Sequence, residues 1–217
     1  MIIVLYAIIN WHLFLLKQRD ILLFYLGGLL MSSTLSEMSL EDLWELFPIF
    51  LEPHQAVWKE WYEDEASILM GILPHRETMR ISHIGSTSVC TIWAKPIVDI
   101  LLEVPNDSDM ELINSILEDN GYLCMSRGNR RISFNKGYTE NGFAERVFHL
   151  HLRYIGDHDE LYFRDYLIEN PDIAHEYERL KLRLWKEFEH DRDSYTDSKS
   201  DFVAKYTQIA KETYGEI

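Results

Sequence analysis

The eight residues Ile97 to Val104, Ile-Val-Asp-Ile-Leu-Leu-Glu-Val, constrain this chain more than any other segment. Apolar side chains occupy both alternating sets of positions over most of the run, the pattern of a strand covered on its two faces. Asp99 interrupts it. An ionised carboxylate among apolar neighbours is unfavourable unless it is paired, hydrogen-bonded or bound to a metal. Two readings stand open at this point: a buried salt bridge to Lys95 or an arginine, or a carboxylate that serves a site.

Around that strand the pattern predicts an α+β plan, a small mixed β-sheet flanked by helices with a C-terminal helical segment. Ser39-Leu-Glu-Asp42 is a capping-box pattern that opens a helix toward Phe47. Ile49 to Leu51 reads as a short strand or an extended arm. Gln55 to Leu73 carries Val57, Trp58, Trp61, Tyr62, Ile68, Leu69 and Ile72 at helical spacing. Met79 to Ile84 reads as a strand, and Gly85-Ser86-Thr87-Ser88 as the turn after it. Met110 to Glu118 is a helix stopped by Asn120-Gly121. Tyr122 to Met125 and Arg131 to Phe134 are candidate strands, Lys136 to Asn141 a polar loop, and Arg146 to Tyr154 an alternating strand. Beyond Asp159 three helices are expected: Leu161 to Ile168, Asp172 to about Asp191 with Asn170 as cap and Pro171 at the first position, and Ser194 to Tyr214.

The chain has 217 residues, 47% of them apolar, which suits one domain, placed at 39–214. Its net charge of −15 repels polyanions, so neither general nucleic-acid binding nor an anionic membrane surface is expected. A small anionic ligand remains open to a local basic pocket. Cys90 and Cys124 have no metal-type spacing, and two lone thiols point to a reducing compartment, hence the cytoplasm. Residues 1–31 are apolar apart from a few positions, among them Lys17, Arg19 and Asp20. Neither apolar run reaches the roughly 18 residues that span a bilayer, and no basic residue precedes position 17 as a signal peptide would want. A short anchor, an amphipathic cap and sequence upstream of a start at Met31 are the three readings, the last favoured by the ordinary soluble look of residues 31–38.

Four features could carry chemistry. A Gly85-Ser86-Thr87 turn offers backbone N–H groups and hydroxyls to a phosphate, although such residues also make plain turns. Together with that turn, Asp99 fits a site in which the acid holds Mg²⁺ and the turn holds phosphate. His149 and His151 are two apart on a strand and share a face, where they could ligate a metal, orient a phosphate or meet solvent. Arg164, beside Asp165, is a bidentate donor for phosphate or carboxylate, or half of a surface ion pair. Lys181, Tyr195 and Lys199 add positive charge to a pocket or are solvated.

The ordered segments His83-Ile-Gly-Ser-Thr-Ser88, Ala94-Lys-Pro-Ile-Val-Asp99, His149-Leu-His151, Phe163-Arg-Asp-Tyr-Leu167 and Pro171 with Tyr177 and Lys181 resemble the GrpB family of bacterial proteins, over about Leu43 to Lys211. The resemblance implies a nucleotidyltransferase-like fold that binds a nucleotide or another phosphorylated small molecule with Mg²⁺ and transfers a nucleotidyl group. It assigns Gly85, Ser86, Thr87, Lys95 and Arg164 to the nucleotide or phosphate, Asp99 to metal, and Asp99, His149 and His151 to catalysis. The chain is also similar to the domain fused to dephospho-CoA kinase in some bacteria, which implies a non-catalytic accessory unit instead. The second acid of the metal pair falls on Leu101, and Cys90-Thr91 replaces a Pro-Gly step. Glu103 shares the strand face but lies about 13 Å from Asp99 by strand rise, which leaves His149 or His151 to supply the missing ligand.

Overall fold

In the computed structural model, which describes residues 35–215, the apolar segment forms the central strand β2 (Val98–Val104). It pairs antiparallel with β1 (Arg80–Ile84) and parallel with β5 (Gly142–Tyr154). Beyond β5 lie β4 (Arg131–Thr139) and β3 (Leu123–Arg127), so the sheet order is β1-β2-β5-β4-β3. Apart from Asp99, every residue of β2 is buried, as a strand covered on both faces requires. The reading of residues 1–31 lies outside the described residues. Among those described, no helix is long and apolar enough to cross a membrane.

Alternation divides the sheet into two chemically different faces. Val98, Ile100, Leu102 and Val104 of β2 join Phe148, Leu150 and Leu152 of β5 and Ile132 and Phe134 of β4 in the main core. Helix α2 (Val57–Ile72) closes this face with Trp58 and Leu69, and α3 (Met110–Asp119) with Ile113 and Leu117. Each such side chain contributes about 1.5–3 kcal/mol by leaving water. The opposite face takes the alternate set, Asp99, Leu101 and Glu103 on β2 and their register partners His149, His151 and Arg153 on β5. Period-two geometry therefore gathers the ionisable groups of two strands on one side.

Helix α1 (Leu40–Leu46) opens with the expected box, since the Ser39 hydroxyl accepts from the Asp42 N–H at 3.1 Å and the Asp42 carboxylate accepts from the Ser39 N–H at 3.3 Å. The C-terminal helices α4 (Asp159–Glu169), α5 (Pro171–Glu187) and α6 (Arg192–Tyr214) pack on one another, with Tyr177 and Phe202 stacked at 5.2 Å. Val89 and Ile92, just after the Gly85 turn, pack against Leu167, Ala174 and Tyr177 of α4 and α5. The turn is thus clamped between the sheet and the helices.

One local expectation differs from the structure, and two others are refined by it. Most of the Lys136–Asn141 stretch is strand, because β4 runs on to Thr139 and the hairpin closes between Thr139 and Gly142. Ladder hydrogen bonds to β5 outweigh its polar composition, and Gly142, at φ 100°, allows the tight reversal. Residues 49–51 form no strand, which leaves the extended arm of their two readings, and the next residue, Glu52, pairs with Ala94 through two backbone bonds of 3.0 Å. Asn170 is the N-cap of α5 with Pro171 at its first position, as expected, but the Asn170 side-chain amide donates back to the Tyr166 carbonyl at 2.9 Å instead of capping. Both cysteines are free, as expected.

Candidate functional site

Asp99 lies in register between Ile84 on β1 and His149 on β5, directly against the start of the Gly85 turn. Gly85 has φ 70°, and a Cβ built there would lie 2.1 Å from Asp99 Oδ2. Only glycine allows both the left-handed backbone and this approach. Two imidazoles flank the carboxylate, with His149 Nδ1 at 3.3 Å and His151 Nε2 at 3.8 Å from Oδ1.

The hydrogen-bond chain fixes which ring nitrogens carry protons. Arg192 donates to the Tyr138 hydroxyl at 2.9 Å, and that hydroxyl bonds His149 Nε2 at 2.8 Å. Burial pushes the His149 imidazole down to about 4 against the opposing pull of Asp99, so it is neutral at pH 7. Its single proton belongs on Nδ1, facing the carboxylate, while Nε2 accepts from Tyr138. Arg153 donates to His151 Nδ1 at 3.3 Å, which leaves the His151 proton on Nε2, again facing Asp99. Burial alone would raise the Asp99 carboxyl, but hydrogen bonds from both histidines hold it well below the usual carboxylate range.

This donor set does not fit a resident Mg²⁺. Leu101 is fully buried where a second acid would stand. Glu103 is sealed, its carboxylate accepting from His158 Nδ1 at 2.8 Å and from the Gly156 N–H at 3.2 Å. Both imidazoles turn N–H groups, not lone pairs, toward Asp99, and Mg²⁺ prefers oxygen ligands in any case. Among the described residues no group of three or more His, Cys, Asp or Glu side chains could hold a metal ion.

Cations, by contrast, are abundant. Lys95, Lys181, Lys199 and Arg192 lie within electrostatic reach of one another, and each of the three lysines feels Asp99. Lys95 and Lys199 share one aromatic ring, their Nζ atoms lying 5.1 Å and 4.4 Å from the centroid of Tyr195. Lys181 bonds the Trp93 carbonyl and is 2% exposed. Burial, with Lys199 next, pushes the Lys181 ammonium down to about 7. Burial likewise brings Lys199 to about 8 and holds Lys95 well below the ordinary lysine value. Withdrawal from water is the largest cause in each, and the opposing pull of Asp99 does not cancel it. Beside them a cleft of about 360 Å³ opens, lined by Lys95 and Arg192 and by Phe50, Trp61 and Phe143.

The remaining expected residues divide between this site and the scaffold. The Ser86 hydroxyl meets the Tyr177 hydroxyl, in the wall between the turn and α5. Thr87 is 2% exposed and bridges His83 Nε2, at 2.9 Å, to the Ile97 carbonyl, at 3.3 Å, which makes it internal bracing. Arg164 is turned to Asp165, at 2.7 Å, and to the His83 carbonyl, at 2.9 Å, and so ties α4 to β1 instead of facing the cluster. Sequence reasoning missed Arg192 and Tyr138. Arg192 was detectable, since Arg192, Tyr195, Lys199, Phe202 and Tyr206 recur at three- and four-residue spacing on a single helical stripe. Tyr138 was not. Lys136 reaches Glu65 on the α2 side, and Tyr138, two residues on, reaches His149 on the other. The register break at Gly137, with φ 91°, turns the strand over between them.

Comparison with known proteins agrees with this architecture. Residues 48–209 match the family model described as GrpB protein. The glutamate-rich protein GrpB of Alkalihalophilus pseudofirmus is 34% identical over 161 residues, 71% of this chain and 91% of the relative. A Bacillus subtilis relative, YqkA, is 31% identical over 157 residues, and there the match covers 71% of this chain but only 45% of the longer protein. The crystal structure of conserved protein GrpB from Enterococcus faecalis superposes with a TM-score of 0.66 at 32% identity, over 76% of this chain and 99% of that one. This chain belongs to the GrpB protein family.

Proposed function

We propose that the protein binds a phosphorylated small molecule, nucleotides included, through Lys95, Lys181, Lys199 and Arg192, with Asp99 and its histidines as the polar floor. The observation that carries this reading is the gathering of one buried cation, Lys181, and three half-buried ones, Lys95, Lys199 and Arg192, in a chain of net charge −15. Against these four cations stand Asp99, which each of the three lysines feels, and, beside Lys181, Glu178. Ammonium groups partly withdrawn from water and outnumbering the carboxylates beside them are unfavourable, and a phosphate supplies both negative charge and acceptor oxygens. The nucleotidyltransferase relation implied by the family resemblance is consistent with a phosphate on this side of the Gly85 turn. Resident Mg²⁺ has no part in the reading, because Leu101 stands where a second acid would and Asp99 is met by two imidazole N–H groups. A cytoplasmic location accords with the two free thiols.

Nucleotidyl transfer is the second reading, favoured by the placement of Asp99 against the turn and next to the cations. Calorimetry with pyrophosphate and ATP, in EDTA and then in Mg²⁺, separates the two. Binding in EDTA that weakens at least about tenfold in Lys181→Met, a loss of about 1.4 kcal/mol, is the expected result. No binding under either condition would remove the proposal. Binding that requires Mg²⁺ and disappears in Asp99→Asn would move the function to transfer.

A further inference from the structure

The cleft beside the cation cluster has the chemistry of a second subsite. Its walls carry the half-buried aromatic rings of Phe50, Trp61 and Phe143. Lys95 and Arg192 line it as well, and these same two side chains belong to the cluster around Asp99. Arg192 connects it to the carboxylate through Tyr138 and His149. Glu52 and Glu145 also line it, so hydrogen-bond acceptors stand near the rings. The position is held by backbone pairing, because the Glu52 to Ala94 bridge fixes the segment carrying Phe50 beside the segment carrying Lys95.

We propose that this cleft takes a flat aromatic ring bearing N–H donors, joined to the phosphate that the cation cluster holds. Aromatic walls favour a π-face by stacking and by burial. The two carboxylates accept N–H bonds and disfavour an anionic ring. About 360 Å³ accommodates one heterocycle with a small linker, not a polymer. The ligand class is therefore a phosphorylated compound of nucleotide size whose ring and phosphate sit at opposite ends of one continuous site. This rests on the phosphate-binding reading above.

The test compares pyrophosphate, which has the head alone, with the four nucleoside diphosphates, which add a ring. Calorimetry on the full chain in EDTA is expected to give at least one diphosphate about tenfold tighter than pyrophosphate, the contribution of one aromatic stack. Ala144 is exposed and lines the cleft, so Ala144→Trp fills it from the solvent side. That variant is expected to erase the tenfold preference while leaving pyrophosphate unchanged. Phe50→Ala is the second variant, with the same expected loss of preference. Equal affinities for head and head-plus-ring in the wild type, or a preference that survives both substitutions, would overturn the cleft proposal and leave the phosphate site standing. Absence of binding by pyrophosphate and all four diphosphates would instead fail the phosphate reading, and the cleft proposal with it.

Discussion

Strand β2 carries two acids on one face, four residues apart, and each meets a histidine, yet the two ends of the strand have opposite characters. Glu103 is 1% exposed, and its carboxylate is filled by His158 and the Gly156 N–H, which lock the turn after β5. Asp99 is 26% exposed, held at longer range by two imidazoles, and neighboured by cations that its single charge does not balance. A buried acid matched by its own chain is scaffold. An acid whose surroundings carry excess charge of the opposite sign marks a place for something from outside.

The contrast can be broken most directly by removing Glu103. Glu103→Leu leaves the His158 and Gly156 donors buried and unpaired, at an expected loss of about 4 kcal/mol, while Asp99→Asn, which keeps an acceptor, stays within about 1 kcal/mol of wild type. Urea unfolding of the two variants measures this, and equal losses would erase the distinction. A second effect comes from acid. His149 and His83 are both held at about 4 in the folded protein against an ordinary 6.5, His83 also chiefly by burial. The unfolded chain therefore takes up protons first, and stability falls as pH drops from 6.5 toward 4. The His149 share amounts to about 3 kcal/mol over that window. Urea midpoints at pH 7 and 4.5 for wild type and His149→Gln check it, the variant showing the shallower decline.

Smaller effects probe the geometry at the Asp99 end. Gly85→Ala forces a side chain into a left-handed backbone and onto Asp99 Oδ2, at an expected cost of about 2 kcal/mol and with weakened phosphate binding, both read by thermal unfolding with and without pyrophosphate. Tyr138→Phe removes the link between Arg192 and His149 for about 1 kcal/mol. A Tyr138→Phe loss larger than that of Gly85→Ala would mean that the relay, not the turn, positions Asp99.

The α+β plan was legible because β2 is apolar on both faces and the helices carry clear stripes. The place of Gly85 in a turn was legible too, but its close approach to Asp99 was not, since sequence reads that glycine as room for a phosphate. The helical lysines were only half legible. Lys181 falls between Tyr177 and Leu184 on the buried side of α5, so its position signalled an inward ammonium, but nothing local told that four cations from three separate segments converge. Arg164 was legible by its second reading, the ion pair with Asp165, and not by its first. An arginine early on a helix reads as a free donor until the β1 carbonyl that accepts its bond is known. Tyr138 reached the site through a register break between β4 and β5, which alternation in a single strand cannot reveal.

Sulfate binding followed from pH 6 to 9 in EDTA tests the cation cluster most directly, because the charge of sulfate is constant over that range. Lys181, at about 7, and Lys199, at about 8, lose their protons across it in the free protein. Affinity is expected to be tightest at pH 6 and to weaken at least about tenfold by pH 9, with Lys181→Met flattening the lower half of the curve. Sulfate affinity independent of pH, or no binding at pH 6, would contradict the account.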